Sequence, residues 1–522
     1  MSLVKKSISN IFLLNLLFFK QQRIFNIQFF KEKKIYSQKK NILIELQLHN
    51  PLIMIIYVLL SKIFHNHYNL TFFYYSKFDS RYFSLPTKIG LFFYINFIKK
   101  KLKGKIINFY NKSSKEEIEL AKKFFKNVKN INDLIKIKYK KILIGKYIHQ
   151  SYCRELVLQN CDVKDERLIS FICQAITYVN YLNKFFKKNR FEKLFISHSI
   201  FIRYGILCRM AHLYSKSKIF ILFLTSENSF FGKLSFLKIN PPHFLQMERY
   251  WNFRKEFKKL NFKKKATNKS RKDLYERIYK AKLSLRLLFK NNPYKGKILK
   301  LRGKKPKIII LPSCFFDSMQ FFRNSLFLHN FSWLENLLRI ASKTDFEWYI
   351  KPHPDQKLPN SKIIKYFKMK YPFLKILPSS ISNFTFKKNN FKSMFTFNGS
   401  SIHEFLYLGI PTVSVSDNKQ AGYSFGKPVN NLKNFKKIIF RADKLKLPRN
   451  LKKDIYEFNY MYTFRKSNDW ISTNFFNKKI GLSLKKMDLV PNFFSRYSFL
   501  CFFLKSVIDN KLDALYEISK KL

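Results

Sequence analysis

Short apolar runs alternate with longer amphipathic stretches along this chain, and the alternation happens twice. Leu70–Tyr75, Lys105–Tyr110, Lys141–Gly145, Lys193–Ser197 and Lys218–Leu224 have the length and β-branched or aromatic content of buried strands. Helical spacing fills the gaps: a segment opening at Ser114 with Glu117 in capping-box position, then Asp165–Phe186 and Phe201–Ser215. From about Asn240 to Lys305 the strand signal stops, Lys and Arg dominate, and Arg271–Lys290 predicts a helix. The alternation then restarts. Pro306–Pro312, Phe346–Ile350, Phe391–Phe397 and Pro411–Ser416 predict strands, while Ser332–Ser342 and Ser401–Leu408 predict helices. Strands joined through helices make βαβ units and a mostly parallel sheet.

The expected fold class is therefore α/β, with two Rossmann-like domains facing a central cleft and a helical C-terminal tail. The predicted divisions are an N-terminal extension (1–50), a first Rossmann-like domain (51–240), a basic helical linker (241–305), a second Rossmann-like domain (306–445) and a helical segment (446–522). Ligands of such sheets bind beyond the carboxyl ends of the strands, so chemistry is sought immediately after each strand.

Four segments lie there. Lys351-Pro352-His353-Pro354 follows the strand ending at Ile350. Its prolines block helix and stiffen the backbone, holding a lysine that could meet phosphate and a histidine that could donate to oxygen or move a proton. A stiffened strand exit with a surface histidine is the plain alternative. Asn398-Gly399-Ser400-Ser401 leads into a helix carrying Glu404. Gly399 suits a tight turn, and the serines and first-turn amides suit a diphosphate. Glu404 could accept from ribose hydroxyls or merely complete a capping box with Ser401. Asp317 follows the strand Pro306–Pro312 and could act as a base, bind a hydroxyl or start a turn. His198 follows Lys193–Ser197 and would look into the cleft from the first domain.

Composition narrows the rest. Hydrophobic residues make up 46% of the 522, which excludes a disordered or fibrous chain. The formal net charge is +69, from 101 Lys+Arg against 32 Asp+Glu. The accompanying excess of Phe, Ile, Asn and Tyr is the bias of an AT-rich genome, and the lysines run along the whole chain instead of collecting in one arm. That spread makes nucleic acid an unlikely partner, though such a surface still attracts nucleotide phosphates and an anionic membrane surface. The six cysteines form no C-x-x-C pair and no zinc spacing, so no metal site is expected and a reducing compartment is. The apolar run Ile11–Phe19 is too short to span a bilayer, which takes about 20 residues, so no transmembrane helix is expected.

The segments ILPSCFFDSMQFFRNSLFLHNFSWLENLL, FEWYIKPHPD and FNGSSIHEFLYLGIPTVSVSDNKQAGYSFG together resemble the capsule polysaccharide biosynthesis family of bacterial surface-carbohydrate glycosyltransferases. The resemblance runs through Asp317, Phe327, Trp333, the 351–354 turn, Gly399, Ser400, Glu404, Gly409 to Pro411 and Tyr423, and covers roughly residues 50–430. It implies a GT-B fold and a transferase using a nucleotide-sugar donor without other cofactor. It also implies a glycan or glycolipid acceptor. A cytoplasmic location is expected, and the positive charge of the surface allows a peripheral place on the inner face of the plasma membrane. Lys351, His353, Gly399, Ser400, Ser401 and Glu404 would line the donor site, with His353 and Asp317 catalytic and His198 and Tyr423 on the acceptor side. One departure stands out: where the family pattern has an acidic residue after Ile144-Gly145, this chain has Lys146 and His149. Nucleotide-sugar epimerases and glycerophosphotransferases of the same fold remain alternatives, as does, from another class, a basic nucleic-acid-binding protein.

Overall fold

The computed structural model describes residues 40–46, 67–75, 104–109, 112–156, 161–224, 233–239, 248–280, 293–313, 325–353, 358–464 and 470–474, with a few single residues between them. Asp317 and the apolar run Ile11–Phe19 lie outside the described residues.

The first sheet is built from β1 (Lys40–Glu45), β2 (Tyr68–Tyr74), β3 (Lys105–Asn108), β6 (Lys193–Ile196), β7 (Lys218–Leu224) and β8 (Lys233–Ile239). Between β3 and β6 stands a small hairpin, β4 (Lys138–Tyr139) and β5 (Ile142–Leu143). Strands β3-β2-β1-β6-β7 run parallel in that order, and β8 returns antiparallel beside β7. The order reverses between β1 and β6, as in doubly wound sheets. β6 is buried at every residue, as expected of a strand covered on both faces. Helices α1 (Lys115–Lys126), α2 (Ile131–Lys136), α3 (Gly145–Glu155), α4 (Arg167–Lys188) and α5 (Phe201–Ser215) belong to this unit. α1 opens with the expected capping box between Ser114 and Glu117.

Two sequence expectations change here. β1 falls inside the segment read as an extension, yet it is the strand at the reversal point, so the first sheet begins at Lys40. Lys141–Gly145 is not one buried strand. Lys140 and Lys141 adopt φ of 45° and 66°, turning the chain into the β4–β5 hairpin, and Gly145 opens α3. A Cβ on Gly145 would stand 1.9 Å from the Leu134 carbonyl oxygen, so glycine here serves close backbone packing.

α6 (Phe253–Lys258) and α7 (Lys263–Ile278) follow, and the expected helix at Arg271–Lys290 starts earlier than its spacing suggested. The second sheet contains β9 (Lys307–Ile310), β10 (Glu347–Ile350), β11 (Lys375–Ile376), β12 (Ser393–Thr396) and β13 (Thr412–Ser414). All are parallel, in the order β11-β10-β9-β12-β13, with the reversal between β9 and β12. Its helices are α8 (Asn330–Ala341), α9 (Leu358–Lys370), α10 (Phe384–Lys388), α11 (Ser401–Tyr407) and α12 (Leu432–Phe440). The spacing of Leu334, Leu337, Leu338 and Ala341 on α8 does bury one face, together with Trp333 and Trp348.

The end of the chain is not purely helical. α13 (Leu451–Thr463) packs on α6, α7 and α11, and β14 (Trp470–Asn474) then pairs antiparallel with β8 of the first sheet. One apolar cluster joins Phe253, Leu274, Ile402, Tyr423, Ile455 and Phe458, so the helices between the sheets and the returning tail share a core.

Candidate functional site

Parallel pairing fixes where the second unit's motifs lie. β10, β9 and β12 run side by side in one direction, so the segments after Ile350, Ile310 and Thr396 leave at one rim. Adjacent strands are about 4.8 Å apart, so the exits of β10 and β12, one strand removed from each other, stand roughly 10 Å apart. His353 and the 398–401 turn therefore share a rim, with the reversal point between them.

At that reversal point the loops are tied together. Ser313 Oγ donates to the Asn398 carbonyl at 2.9 Å and reaches its Oδ1 at 3.0 Å, while Thr396 Oγ1 donates to the same carbonyl at 2.9 Å. Asn330, at the start of α8, donates to the Ser313 carbonyl at 2.7 Å. Gly399 has φ of 142°, a conformation that favours glycine, and Ser400 and Ser401 are half-buried. The Ser400 side chain makes no capping bond to α11.

The charged residues of these motifs face inward. Lys351 is buried and its Nζ donates to the Ile381 carbonyl at 2.9 Å and to Asn383 Oδ1 at 2.7 Å. Burial lowers this amine to about 8. Glu404 is also buried; it accepts from the Tyr294 hydroxyl at 2.7 Å and lies 3.8 Å from Arg277 of α7. His353 is half-buried beyond the lysine. Tyr423 is fully enclosed in the shared apolar cluster, packed on Phe425 and Phe458, and burial followed by the neighbouring Glu457 raises its phenol.

In the first unit, His198 is exposed at the rim after β6, its Nδ1 2.8 Å from Ser197 Oγ and its ring 5.0 Å from that of Tyr204. Here too the reversal point is bridged: the Ser197 amide donates to the carboxylate of buried Glu45, at the end of β1, at 2.6 Å.

A cavity of about 810 Å³ draws its walls from both units. The first supplies Asn130, Tyr152, Asp162, Asp165 and Arg167, and the second His329 and Ser332. Asp165 is held ionised, well below the usual carboxylate range, chiefly by hydrogen bonds from Arg167, with Tyr152 also donating. Asp162 is exposed beside it. His329 caps α8, its Nδ1 accepting from the Ser332 amide at 3.0 Å, which leaves the ring proton on Nε2. Burial lowers His329 to about 4. On the other side His149 is fully buried and held at about 3, first by burial and then by His329 across the boundary.

Sequence reading passed over Glu45, Arg277, Asn330 and His329. His329 and Asn330 were legible in principle as the polar pair at the start of α8. Glu45 and Arg277 lie outside the segments from which chemistry was read, and only folding brings them near it. Among the described residues no group of His, Cys, Asp and Glu is arranged to hold a metal ion.

No family model matches the chain, and no curated protein matches it. Among solved structures it is similar to two KpsC proteins of Thermosulfurimonas dismutans, a β-Kdo 2,4-transferase and a β-Kdo 2,7-transferase. Each is 12% identical with a TM-score of 0.32, over 52% and 53% of this chain and 79% of theirs. A glycosyltransferase from Rickettsia africae ESF-5 is 10% identical with a TM-score of 0.26, over 88% of this chain and 100% of that one.

Proposed function

We propose that this chain is a GT-B-type glycosyltransferase that moves a sugar from a nucleotide-activated donor to a surface-polysaccharide or lipid-linked acceptor. The observation that supports it most is the shared rim: His353 and the Gly399–Ser401 turn flank the reversal point of a parallel sheet, where this architecture binds ligands. The donor's phosphates would meet the amides and hydroxyls of Gly399, Ser400 and Ser401. His353 would stabilise the charge that develops as the glycosidic bond breaks. Lys351 and Glu404 would position these groups from beneath, given their buried partners. Asp317, which follows β9 in sequence, would keep the catalytic role that the family resemblance implies.

The acceptor would enter between the units, through the cavity that both line. Of its two carboxylates, Asp165 is committed to Arg167 and is a weak base, so Asp162 is assigned the removal of the acceptor proton. Closing the units on the substrates would exclude water and limit donor hydrolysis.

A nucleotide screen by thermal unfolding tests the donor half. One nucleotide should stabilise the chain selectively, by about 2.7 kcal/mol at 100 times its dissociation constant. Nucleotide release from the matching nucleotide-sugar should then require a glycan acceptor. If no nucleotide stabilises the chain, the reading fails. Transfer of glycerophosphate to the acceptor, or sugar inversion without transfer, would reassign the chain to the alternative enzymes of this fold.

A further inference from the structure

We infer that the outer faces of α6 and α7 form a docking surface for an anionic bilayer, an interaction that goes beyond the transfer reaction and does not depend on it. The inner face of α7 is set by register. Ala266, Ser270, Leu274 and Ile278 recur every four residues, are buried, and pack with α13. Side chains two positions out of phase point the opposite way. On that side Lys264, Asn268 and Lys272 are exposed and Glu276 is half-buried, with exposed Lys263, Lys265, Lys269, Arg271, Tyr275 and Tyr279 at its margins. α6 packs on the same helix α13 through buried Phe253 and Phe257, and Lys255, Lys258 and Lys259 around it are exposed.

Genome-wide lysine enrichment does not produce this surface by itself, for two reasons. Between Lys255 and Lys272 the only carboxylate is Glu256, and it is half-buried. The next, Asp273, is half-buried and accepts from Asn459. Exposed α1 shows the contrast: its Lys122, Lys123 and Lys126 share the helix with exposed Glu116 and Glu119. The second reason is aromatic. Phe262, Tyr275 and Tyr279 are 45%, 48% and 43% exposed, and the only other exposed large aromatics among the described residues are Tyr366 and Phe440. Cations well in excess of acids, with half-buried Glu276 the carboxylate on the outer face of α7 and amphipathic rings interleaved, suit the headgroup layer of an anionic membrane, where lysines meet lipid phosphates and rings lie at the interface. The inner face of the same helix carries Arg277 to His403 and Glu404, so the docked surface would lie one helix thickness from the candidate donor turn.

Vesicle sedimentation of the full chain tests the proposal. Vesicles of phosphatidylcholine alone are compared with vesicles containing about 30% phosphatidylglycerol at about 0.1 M salt. The chain should pellet with the anionic vesicles only. Removing three charges from α7, K263Q/K264Q/K265Q, should lower binding by at least about tenfold. The matched set on α1, K122Q/K123Q/K126Q, should change it by less than about threefold. Y275S/Y279S should also weaken it, by about threefold or more; capture of free phosphate alone would leave it unmoved. All three variants alter exposed residues, so circular dichroism should show unchanged folding. The proposal is overturned by absence of binding to anionic vesicles or by equal losses from the α7 and α1 sets. It is also overturned if the α7 variant keeps its vesicle affinity while losing affinity for single-stranded RNA.

Discussion

The guanidinium of Arg277 stands 3.2 Å from Nε2 of His403, joining the helix before the second sheet to the first turn of α11. Arginine can only donate, so Nε2 accepts and the neutral ring carries its proton on Nδ1. Gln420 lies 3.0 Å from Nδ1 and must turn its amide oxygen to it. The same arginine faces the Glu404 carboxylate at 3.8 Å. The helix behind the 399–401 turn is thus held by one buried cation from a distant segment.

Arg277→Met should leave Glu404 buried without the cation that faces it, while Tyr294 still donates to it. Breaking one side of a buried ion pair costs roughly 3–5 kcal/mol. Urea denaturation should show a loss near the lower bound, since Tyr294 still bonds the carboxylate. Adding Glu404→Gln to the same chain should restore part of it. Equal stability of Arg277→Met and the wild type would mean that the arginine does not hold α11.

Gly399→Ala tests the turn itself. The added Cβ meets nothing closer than Ser401 Oγ at 3.5 Å, which is ordinary contact. The cost therefore comes from the backbone, whose φ of 142° an alanine adopts at about 1–3 kcal/mol. Relief of that strain by shifting the turn should weaken nucleotide binding by about tenfold, measured by calorimetry. Unchanged affinity would remove the turn from the donor site.

Much of the architecture was legible because it follows from periodicity. Both mostly parallel sheets, the capped helix at Ser114 and the apolar face of α8 come from spacing alone. β1 was not legible. It begins in the midst of lysines and follows a long apolar stretch, so nothing local separates it from an extension, although the reversal point needs a strand there. Around the site, sequence placed His353 and the 398–401 turn after their strands but could not say where the flanking charges turn. Lys351 and Glu404 point to Asn383 and Arg277, partners 32 and more than 100 residues away, and no local pattern encodes such pairings. The pairing of His149 with His329 was not legible for a similar reason: it exists only where the two units meet.

That imidazole pair should make the boundary acid-sensitive. Both residues are buried, with pKa values of about 3 and about 4 in the folded chain against about 6.5 when unfolded. Below pH 6.5 the unfolded chain therefore binds protons that the native chain does not, and stability falls as pH drops. Between pH 6.5 and about 4.5 each histidine should cost about 2–3 kcal/mol. His149→Gln should reduce the slope of stability against pH in that window. Asp165 acts lower, because its carboxylate is still ionised there when unfolded. An unchanged slope would show that His149 is solvated.

His353→Asn and Asp162→Asn should separate the two catalytic assignments. Asparagine at 353 keeps a donor but cannot carry charge, so turnover should fall by about a hundredfold with nucleotide affinity nearly intact. Asn at 162 should lower turnover comparably, because it cannot take up the acceptor proton. Each loss should appear in kcat and leave donor KM within a few-fold. A KM effect without a kcat effect would assign either residue to binding.

Lys351 gives the opposite pH signature to the histidines. Its amine loses a proton near pH 8 in the folded chain, against about 10.4 unfolded, because burial disfavours the charged form. As pH rises between those values the unfolded chain holds the extra proton, so stability rises, by as much as about 3 kcal/mol. Buried Tyr75, Tyr178 and Tyr294 act above that window, where their raised pKa values make stability fall again. Urea titrations at about pH 8 and about pH 10 should therefore show a gain in the wild type. Lys351→Met should abolish this gain while destabilising the chain at both pH values, since the Ile381 carbonyl and Asn383 lose their donor. A gain of equal size in the variant would mean that other lysines carry the effect and that the 351 amine is reached by water.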